Sequence, residues 1–338
     1  MGRSPLAWYG VPKENNQKAV AAAAVCLPGI HGAGRLPHQD GGEMPTRFCC
    51  RVVFGLLLAA VSVLSSQAAD KGQDLGIKLK LEGAGLGPAH IENDQGKVAV
   101  TYLRGTLEYS YFVFSYTNRR YHWDQVSRLP FGNGADDPWE QLHSISLGAK
   151  DFKGRINQRW GYFWGIWASS MFEEETSDSF SGSGTVGLSY VISPNLIVSF
   201  GVGGYYHLEV DNLFMVVGAL AWNPGIEKGF HGALGFPESF IGYRFSPAWD
   251  LRLSAGFEER VYRLADDSTV QPQGYLRSRT VLGLMELKWT PRQYLTLSIA
   301  AGYHFLRRFD IFDSEGEGGR DYDINGTLGG GISLELSF

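Results

Sequence analysis

From Lys97 to the last residue, apolar and polar side chains alternate with period two in stretches of about 9 to 17 residues, and no window carries a helical period. That alternation restricts the chain to strands with two unlike faces. Leu295, Leu297, Ile299, Ala301, Tyr303 and Phe305 lie opposite Thr296, Ser298, Ala300, Gly302 and His304. Leu251, Leu253, Ala255 and Phe257 oppose Arg252, Ser254, Gly256 and Glu258 in the same way, as Val186, Leu188, Tyr190 and Ile192 oppose Thr185, Gly187 and Ser189. An apolar face this extensive aggregates in water, whereas lipid on one side and a polar lumen on the other satisfy both faces. Aromatic residues gather at strand ends (Tyr109, Tyr111, Trp222, Tyr243, Trp249, Trp289, Tyr294), where the two girdles of a membrane barrel stand. A mean hydropathy of -0.14 is too polar for a helical membrane protein but suits a barrel, in which the two faces average out. A net charge of -5 lacks the basic excess that phosphate neutralisation requires, which argues against a nucleic-acid partner.

Turn chemistry then orders the strands. Ser193-Pro194-Asn195, Asn223-Pro224-Gly225, Ser246-Pro247-Ala248, Thr290-Pro291-Arg292 and the 155–158 stretch are tight, while longer polar segments at 117–139, 173–181, 207–212, 265–273 and 307–322, with a short Phe236-Pro237-Glu238 turn, fall between them. Strands at 97–117, 140–152, 158–172, 181–192, 195–206, 212–222, 228–235, 239–246, 249–263, 274–290, 293–307 and 323–338 make the two turn classes alternate. The expectation is an all-β, transmembrane, antiparallel up-and-down barrel of about 12 strands, with short periplasmic turns, long extracellular loops and both barrel termini periplasmic. Splitting 228–246 at Pro237 keeps the strand count even.

Val52–Leu64 is the one long apolar run, well short of the roughly 20 residues of a spanning helix. With Arg47 and Arg51 before it and Ser66-Gln67-Ala68-Ala69 after it, residues 44–69 read as a signal peptide cleaved after Ala68 or Ala69. Met44 opens that unit, so residues 1–43 read as upstream sequence from a misassigned start, and 70–96 as a periplasmic arm or a partial strand. Cys26, Cys49 and Cys50 all precede the cleavage site, leaving the exported chain without a thiol. The end of the chain, Gly331 to Phe338, places Ile332, Leu334, Leu336 and Phe338 at every second position. This resembles the carboxy-terminal assembly signal of outer-membrane barrels and implies the barrel assembly machinery and periplasmic chaperones as partners during biogenesis. Outer-membrane lipid and lipopolysaccharide are the partners expected of the mature barrel. The location expected is the outer membrane of a Gram-negative bacterium.

Two segments, Val126–Glu140 (Val-Ser-Arg-Leu-Pro-Phe-Gly-Asn-Gly-Ala-Asp-Asp-Pro-Trp-Glu) and Leu234-Gly235-Phe236-Pro237, carry a resemblance to an uncharacterised family of proteobacterial outer-membrane barrels, extending over roughly Gly105 to Phe338. The resemblance implies fold and location. It brings no catalytic residue.

Gly182-Ser183-Gly184-Thr185-Val186-Gly187 has dinucleotide-fingerprint spacing, but a strand follows where a phosphate-binding helix is required, and glycines on a lumen face are the simpler reading. His143 and Ser144, adjacent on a strand, point to opposite faces and cannot share one hydrolytic site, and His122 with Asp124 matches no lipid-hydrolase pattern. No enzyme activity and no cofactor are expected. The acidic run Asp310, Asp313, Glu315, Glu317, Asp321 and Asp323 lacks EF-hand spacing and reads, like Glu173-Glu174-Glu175, as solvated loop, with a divalent cation as the alternative. Nine charged residues fall on the expected lumen face: Glu108, Lys150, Arg244, Arg252, Glu258, Arg260, Glu286, Lys288 and Glu335. They can line a narrow channel for small solutes or pair across the barrel and close it as a structural or surface-binding barrel. The loop Arg128–Glu140 can fold inward as a constriction or pack over the mouth. A lipid-modifying enzyme is the third reading, and nothing in the sequence sets an oligomeric state.

Overall fold

Period-two alternation exposes one row of backbone donors and acceptors on each edge of a strand, and only closure of the sheet satisfies the outermost rows. The computed structural model, which describes residues 76–338 apart from 93, 94 and 211, closes the sheet in this way. The stretches read from sequence as upstream segment (1–43) and signal peptide (44–69) lie outside the described residues. The strands are β1 (Ile77–His90), β2 (Lys97–Tyr109), β3 (Phe112–Asp124), β4 (Gln141–Arg155), β5 (Trp160–Phe172), β6 (Phe180–Ser193), β7 (Leu196–His207), β8 (Leu213–Trp222), β9 (Gly229–Gly235), β10 (Glu238–Ser246), β11 (Trp249–Arg263), β12 (Tyr275–Arg292), β13 (Leu295–Phe312), β14 (Arg320–Ile324) and β15 (Thr327–Ser337). Each pairs antiparallel with its neighbour, and β1 closes on β15 from Lys78↔Ser337 to Leu86↔Gly329. The Ile77 N–H donates to the Phe338 carbonyl at 3.1 Å and the Phe338 N–H to the Ile77 carbonyl at 2.8 Å. β14 and β15 share one partner, β13, along successive stretches, so they form a single strand interrupted at Asn325-Gly326 and the barrel has 14 staves.

Fourteen strands replace the twelve expected, for two reasons. The 70–96 segment supplies a full barrel strand, β1, in place of an arm or partial strand. The stretch read as one strand over 97–117 ends at Tyr109, turns through Ser110 (φ 56°) and Tyr111 and returns as β3, most of which the sequence marks as loop. No Pro or Gly announces that turn. Pro237 does separate β9 from β10. The connections at 110–111, 156–159, 194–195, 223–228, 247–248 and 293–294 share one end with both barrel termini, and the others, the two-residue Phe236-Pro237 turn among them, share the other end.

Large apolar side chains on the outer parity are exposed around the wall, among them Ile166, Val186, Phe214, Val216, Leu253, Ile299 and Ile332. Toward the long-loop end of β1–β3 and β11–β14 the polarity inverts. There the inward residues Val98, Val100, Tyr121, Leu142, Tyr262, Leu264, Leu276, Phe309, Ile311 and Ile324 form one buried apolar cluster. The outward residues at the same level are charged: Arg277 and Arg279 both reach Asp310, at 2.8 and 2.7 Å. At this end β11 also crosses the mouth. Arg263 meets Phe172 in a parallel bridge, and the Glu173 N–H donates to the Arg263 carbonyl at 2.9 Å. The smaller ring so formed, β11 to β13, the β14–β15 strand and β1 to β5, surrounds the apolar cluster.

Candidate functional site

The segment after β3 enters that ring. Gln125, Gly132 and Gly134 take positive φ, and Asn133 turns the chain by accepting from the Ala135 and Asp136 N–H groups at 2.9 and 3.0 Å. These turns send Phe131 and Trp139 inward, where Trp139 is 1% exposed. The two rings stack with centroids 5.8 Å apart, Phe131 meets Tyr322 edge-on at 4.9 Å, and Trp139 meets Phe309 and Tyr121 edge-on at 5.5 and 5.8 Å. The Trp123 indole N–H donates to the Trp139 carbonyl at 2.7 Å. Aromatic contact of this kind between side chains from opposite walls makes a plug. The loop both folds inward and packs across the mouth, so the two roles the sequence left open for it meet in one plug.

Below the plug lies a cavity of about 570 Å³. Its inward charges are Lys80, Arg104, Arg119, Arg252, Lys288 and Arg307 against Glu82, Glu238, Glu258 and Glu286, six cations to four carboxylates. At its upper end arginines crowd round Glu258, whose carboxylate accepts from Arg119 at 3.2 Å and from Arg260 at 3.3 Å. Arg104 stands 3.8 Å from Glu82 and hydrogen-bonds the Thr117 hydroxyl. Arg307 is 6% exposed, makes no ion pair among the described residues, and its Nη1 has no hydrogen-bond partner. A buried guanidinium without a counter-charge is costly, and an anion placed beside it removes the cost.

Of the nine residues nominated from sequence, Glu258 and Arg260 belong to this cluster, and Arg252, Glu286 and Lys288 face the same chamber lower down, the last two paired at 3.2 Å. Arg252 also lies over the Phe240 ring and reaches Asp250 at 3.1 Å. Arg244 is spent on Asp250 at 3.2 Å and the Ile226 carbonyl at 2.9 Å, and His231 completes the knot 2.8 Å from Asp250. Glu108 and Lys150 pair at 2.7 Å near the short-turn end, and Glu335 stands in register with Lys80 and Thr296. The sequence missed Arg104, Arg119 and Arg307. Arg119 and Arg307 belong to stretches read as loop, and the alternation that would have assigned them fails where the outward row turns polar.

Other constellations resolve as structure. His143 and Ser144 face opposite ways: His143 lies 2.9 Å from the Tyr116 hydroxyl and stacks on Phe172, while Ser144 shares the parity of Leu142. Gly182–Gly187 lies inside β6. The acidic run is partly strand and partly paired. Asp310 serves Arg277 and Arg279, and Arg308 holds Asp321 and Asp323 at 3.0 and 2.7 Å. The Asp313 carboxylate accepts from the Glu315 and Glu317 N–H groups, and no group of three metal-ligating side chains stands together among the described residues. Glu173 and Glu175, read as solvated, instead clasp the β5–β11 junction. Glu173 accepts from the Ala265 N–H at 2.9 Å and Glu175 from Arg263 at 3.3 Å. Burial pushes the Glu173 carboxyl up to about 7.

No family model matches the chain and no curated protein matches it. Among solved structures it is similar to the NanC porin, at 9% identity and a TM-score of 0.37, over 77% of this chain and 100% of that one. The Pseudomonas putida OprB structure matches at 10% identity and a TM-score of 0.34, over 81% and 96%. The translocator domain of the autotransporter NalP from Neisseria meningitidis matches at 13% identity and a TM-score of 0.32, over 85% and 99%.

Proposed function

We propose that this chain is an integral outer-membrane β-barrel of a Gram-negative bacterium whose lumen is a narrow passage for small anionic solutes, gated at the loop end by Val126–Glu140. The exposed apolar wall supports membrane insertion, since closure of β1 on β15 removes the free sheet edges that lipid cannot satisfy. No helix among the described residues is long and apolar enough to cross a membrane, which leaves the crossing to strands. The likeness of Val126–Glu140 and Leu234–Pro237 to the proteobacterial barrel family agrees with that location. The observation that carries the solute class is the excess of cations in the chamber, with Arg307 unpaired. The packed plug favours a gate over a standing pore. Ile332, Leu334, Leu336 and Phe338 serve, in this reading, as the signal by which the assembly machinery receives the chain.

Single-channel recording of the refolded protein in a planar bilayer tests the proposal. The wild type should open rarely and select anions, Trp139→Ala should open more often, and Glu258→Gln should shift selectivity further toward anions. Silence from all three, each verified as folded, would replace the channel with a closed structural barrel.

A further inference from the structure

The barrel wall is incomplete at one place. β9 has 7 residues and meets β8 only from Ala219↔Gly235 to Trp222↔Gly232. β10 begins at Glu238, opposite Gly256. At the tip of this short hairpin the Phe236 N–H donates to the Gly218 carbonyl and the Phe257 N–H to the Pro237 carbonyl, at 3.2 and 3.1 Å. Beyond those bonds, residues 213–217 of β8 and 258–262 of β11 have no strand between them among the described residues. At the level of the tip the two edges stand three inter-strand spacings apart, about 14 Å. Alternate residues of an antiparallel strand point their N–H and C=O groups to the same side. Phe214 and Val216 therefore turn theirs to the gap, as Glu259 and Val261 do from β11. The gap ends above, where Val210 of the 207–212 turn packs with Val261, Tyr275 and Phe312.

Such a window would be unremarkable above the membrane, but the β8 edge is apolar, with Phe214 and Val216 exposed to 86% and 78%. Unpaired backbone groups facing lipid cost several kcal/mol each and persist where they border a hydrated or occupied cavity. The chamber reaches the window, because Pro237, Glu238, Gly256 and Phe257 at its foot are part of the chamber wall. Within that chamber lies Arg307, buried and without a counter-charge.

We propose that the gap between β8 and β11 is a lateral doorway through which an anionic amphiphile with an acyl chain exchanges between bilayer and chamber, its head group at Arg307 and its chain leaving over Phe236. This rests on the membrane reading above and adds a second exit that a water-soluble solute does not use. An anionic head answers the cation excess, and an apolar tail answers the rim. A carboxylate or a phosphate head meets the same chemistry.

The test uses the full chain with Cys26, Cys49 and Cys50 changed to serine, refolded into phosphatidylcholine vesicles, and labelled with a bimane at Phe214→Cys or, as a control on the closed wall, at Ile299→Cys. Doxyl-labelled phosphatidylcholine should quench both positions; failure at Ile299→Cys would reject membrane insertion, and with it the proposed function, rather than the doorway alone. Doxyl-stearate and doxyl-lysophosphatidate are then titrated separately. Saturable quenching at position 214, absent at 299, is expected from at least one of them and identifies the head group. Arg307→Gln should weaken it at least tenfold, Arg307→Lys should largely retain it, and Val217→Trp, which adds bulk to the inward row of β8 beside the gap, should abolish it. Equal, non-saturable quenching at 214 and 299 by both probes, or saturation indifferent to Arg307→Gln and Val217→Trp, overturns the proposal.

Discussion

The two sides of this barrel are built on opposite principles. Toward the loop end, β11 to β13 and β1 to β5 enclose Trp139, Tyr121, Tyr262, Leu264 and Phe309 and behave like a soluble domain, with an apolar interior and charges outside. Across the lumen, the middle of the inward rows of β6 and β7 is Ser183, Thr185, Gly187, Ser199, Gly201 and Gly203, with the larger Val191, Ile197 and Tyr205 toward the ends and Met215 and Val217 on β8. Small inward residues cannot make a core, and the strands there are held by their ladder and by what covers their outer face. The difference teaches that one closed sheet can carry two kinds of interior, because inward and outward rows are set independently along each strand.

If the loop-end core closes the barrel, the largest effect should come from Trp139→Ala. Denaturant unfolding in micelles should lose about 3–5 kcal/mol, as large aromatic truncations in packed cores do. A loss below about 1 kcal/mol, the ordinary range of surface changes with a margin, would mean the plug is loosely laid over the mouth. On the other side the sensitive feature is close approach. A Cβ at Gly201 would collide with the Val186 carbonyl, and the Phe163 ring lies across Gly187 beside it. Gly201→Val should therefore cost about 1–3 kcal/mol by overpacking, although the lumen beyond is roomy; an unchanged unfolding midpoint would break the claim that β6 and β7 are fitted to Phe163.

The junction between the two sides should respond to pH. Glu173 titrates near 7 when folded, above its ordinary 4.5, because burial favours the neutral acid. The stability this contributes is complete below the ordinary value and is lost as pH rises through 7. The protection of the Arg263 and Leu264 amides relative to their intrinsic exchange rates should be greater at pH 5 than at pH 8, and Glu173→Gln should flatten that difference; a wild-type protection already independent of pH would remove Glu173 from the clasp. Smallest of all, Ser183→Ala on the small-residue wall should stay within about 0.5 kcal/mol of wild type by the same unfolding assay. A larger loss would show that this wall has a polar network the comparison assigns only to the other side.

How much was legible in the sequence differs between the same regions. Wherever an outward apolar row and an inward polar row alternate, as in β6 to β8 and in 295–305 of β13, the strands and their faces follow from residue order, and Glu258, Arg252 and Lys288 were assigned to the inward row for that reason. Where β3 and the upper part of β13 rise beyond the apolar belt, the outward row turns polar and the inward row apolar, so Thr117 to Tyr121 and Arg307 to Phe312 resemble loop. The two arginines Arg119 and Arg307 were lost with those strands. The Tyr109-Ser110-Tyr111-Phe112 turn lacks Gly and Pro, which hid the boundary that would have restored the count.

Residue order by itself determined that the chain is a two-faced antiparallel barrel, which end carries the short turns, and that nine charges share the inward parity, because alternation and turn chemistry are local properties. Only the tertiary structure decided that β11 crosses to β5, that Phe131 and Trp139 fill the ring so formed, that Arg104, Arg119 and Arg260 gather near Glu258, and that the wall stops short between β8 and β11. Each of these depends on strands far apart in the chain meeting across a lumen, and on the lengths at which neighbouring strands end. Period-two patterning says which way a side chain points but not what stands opposite it.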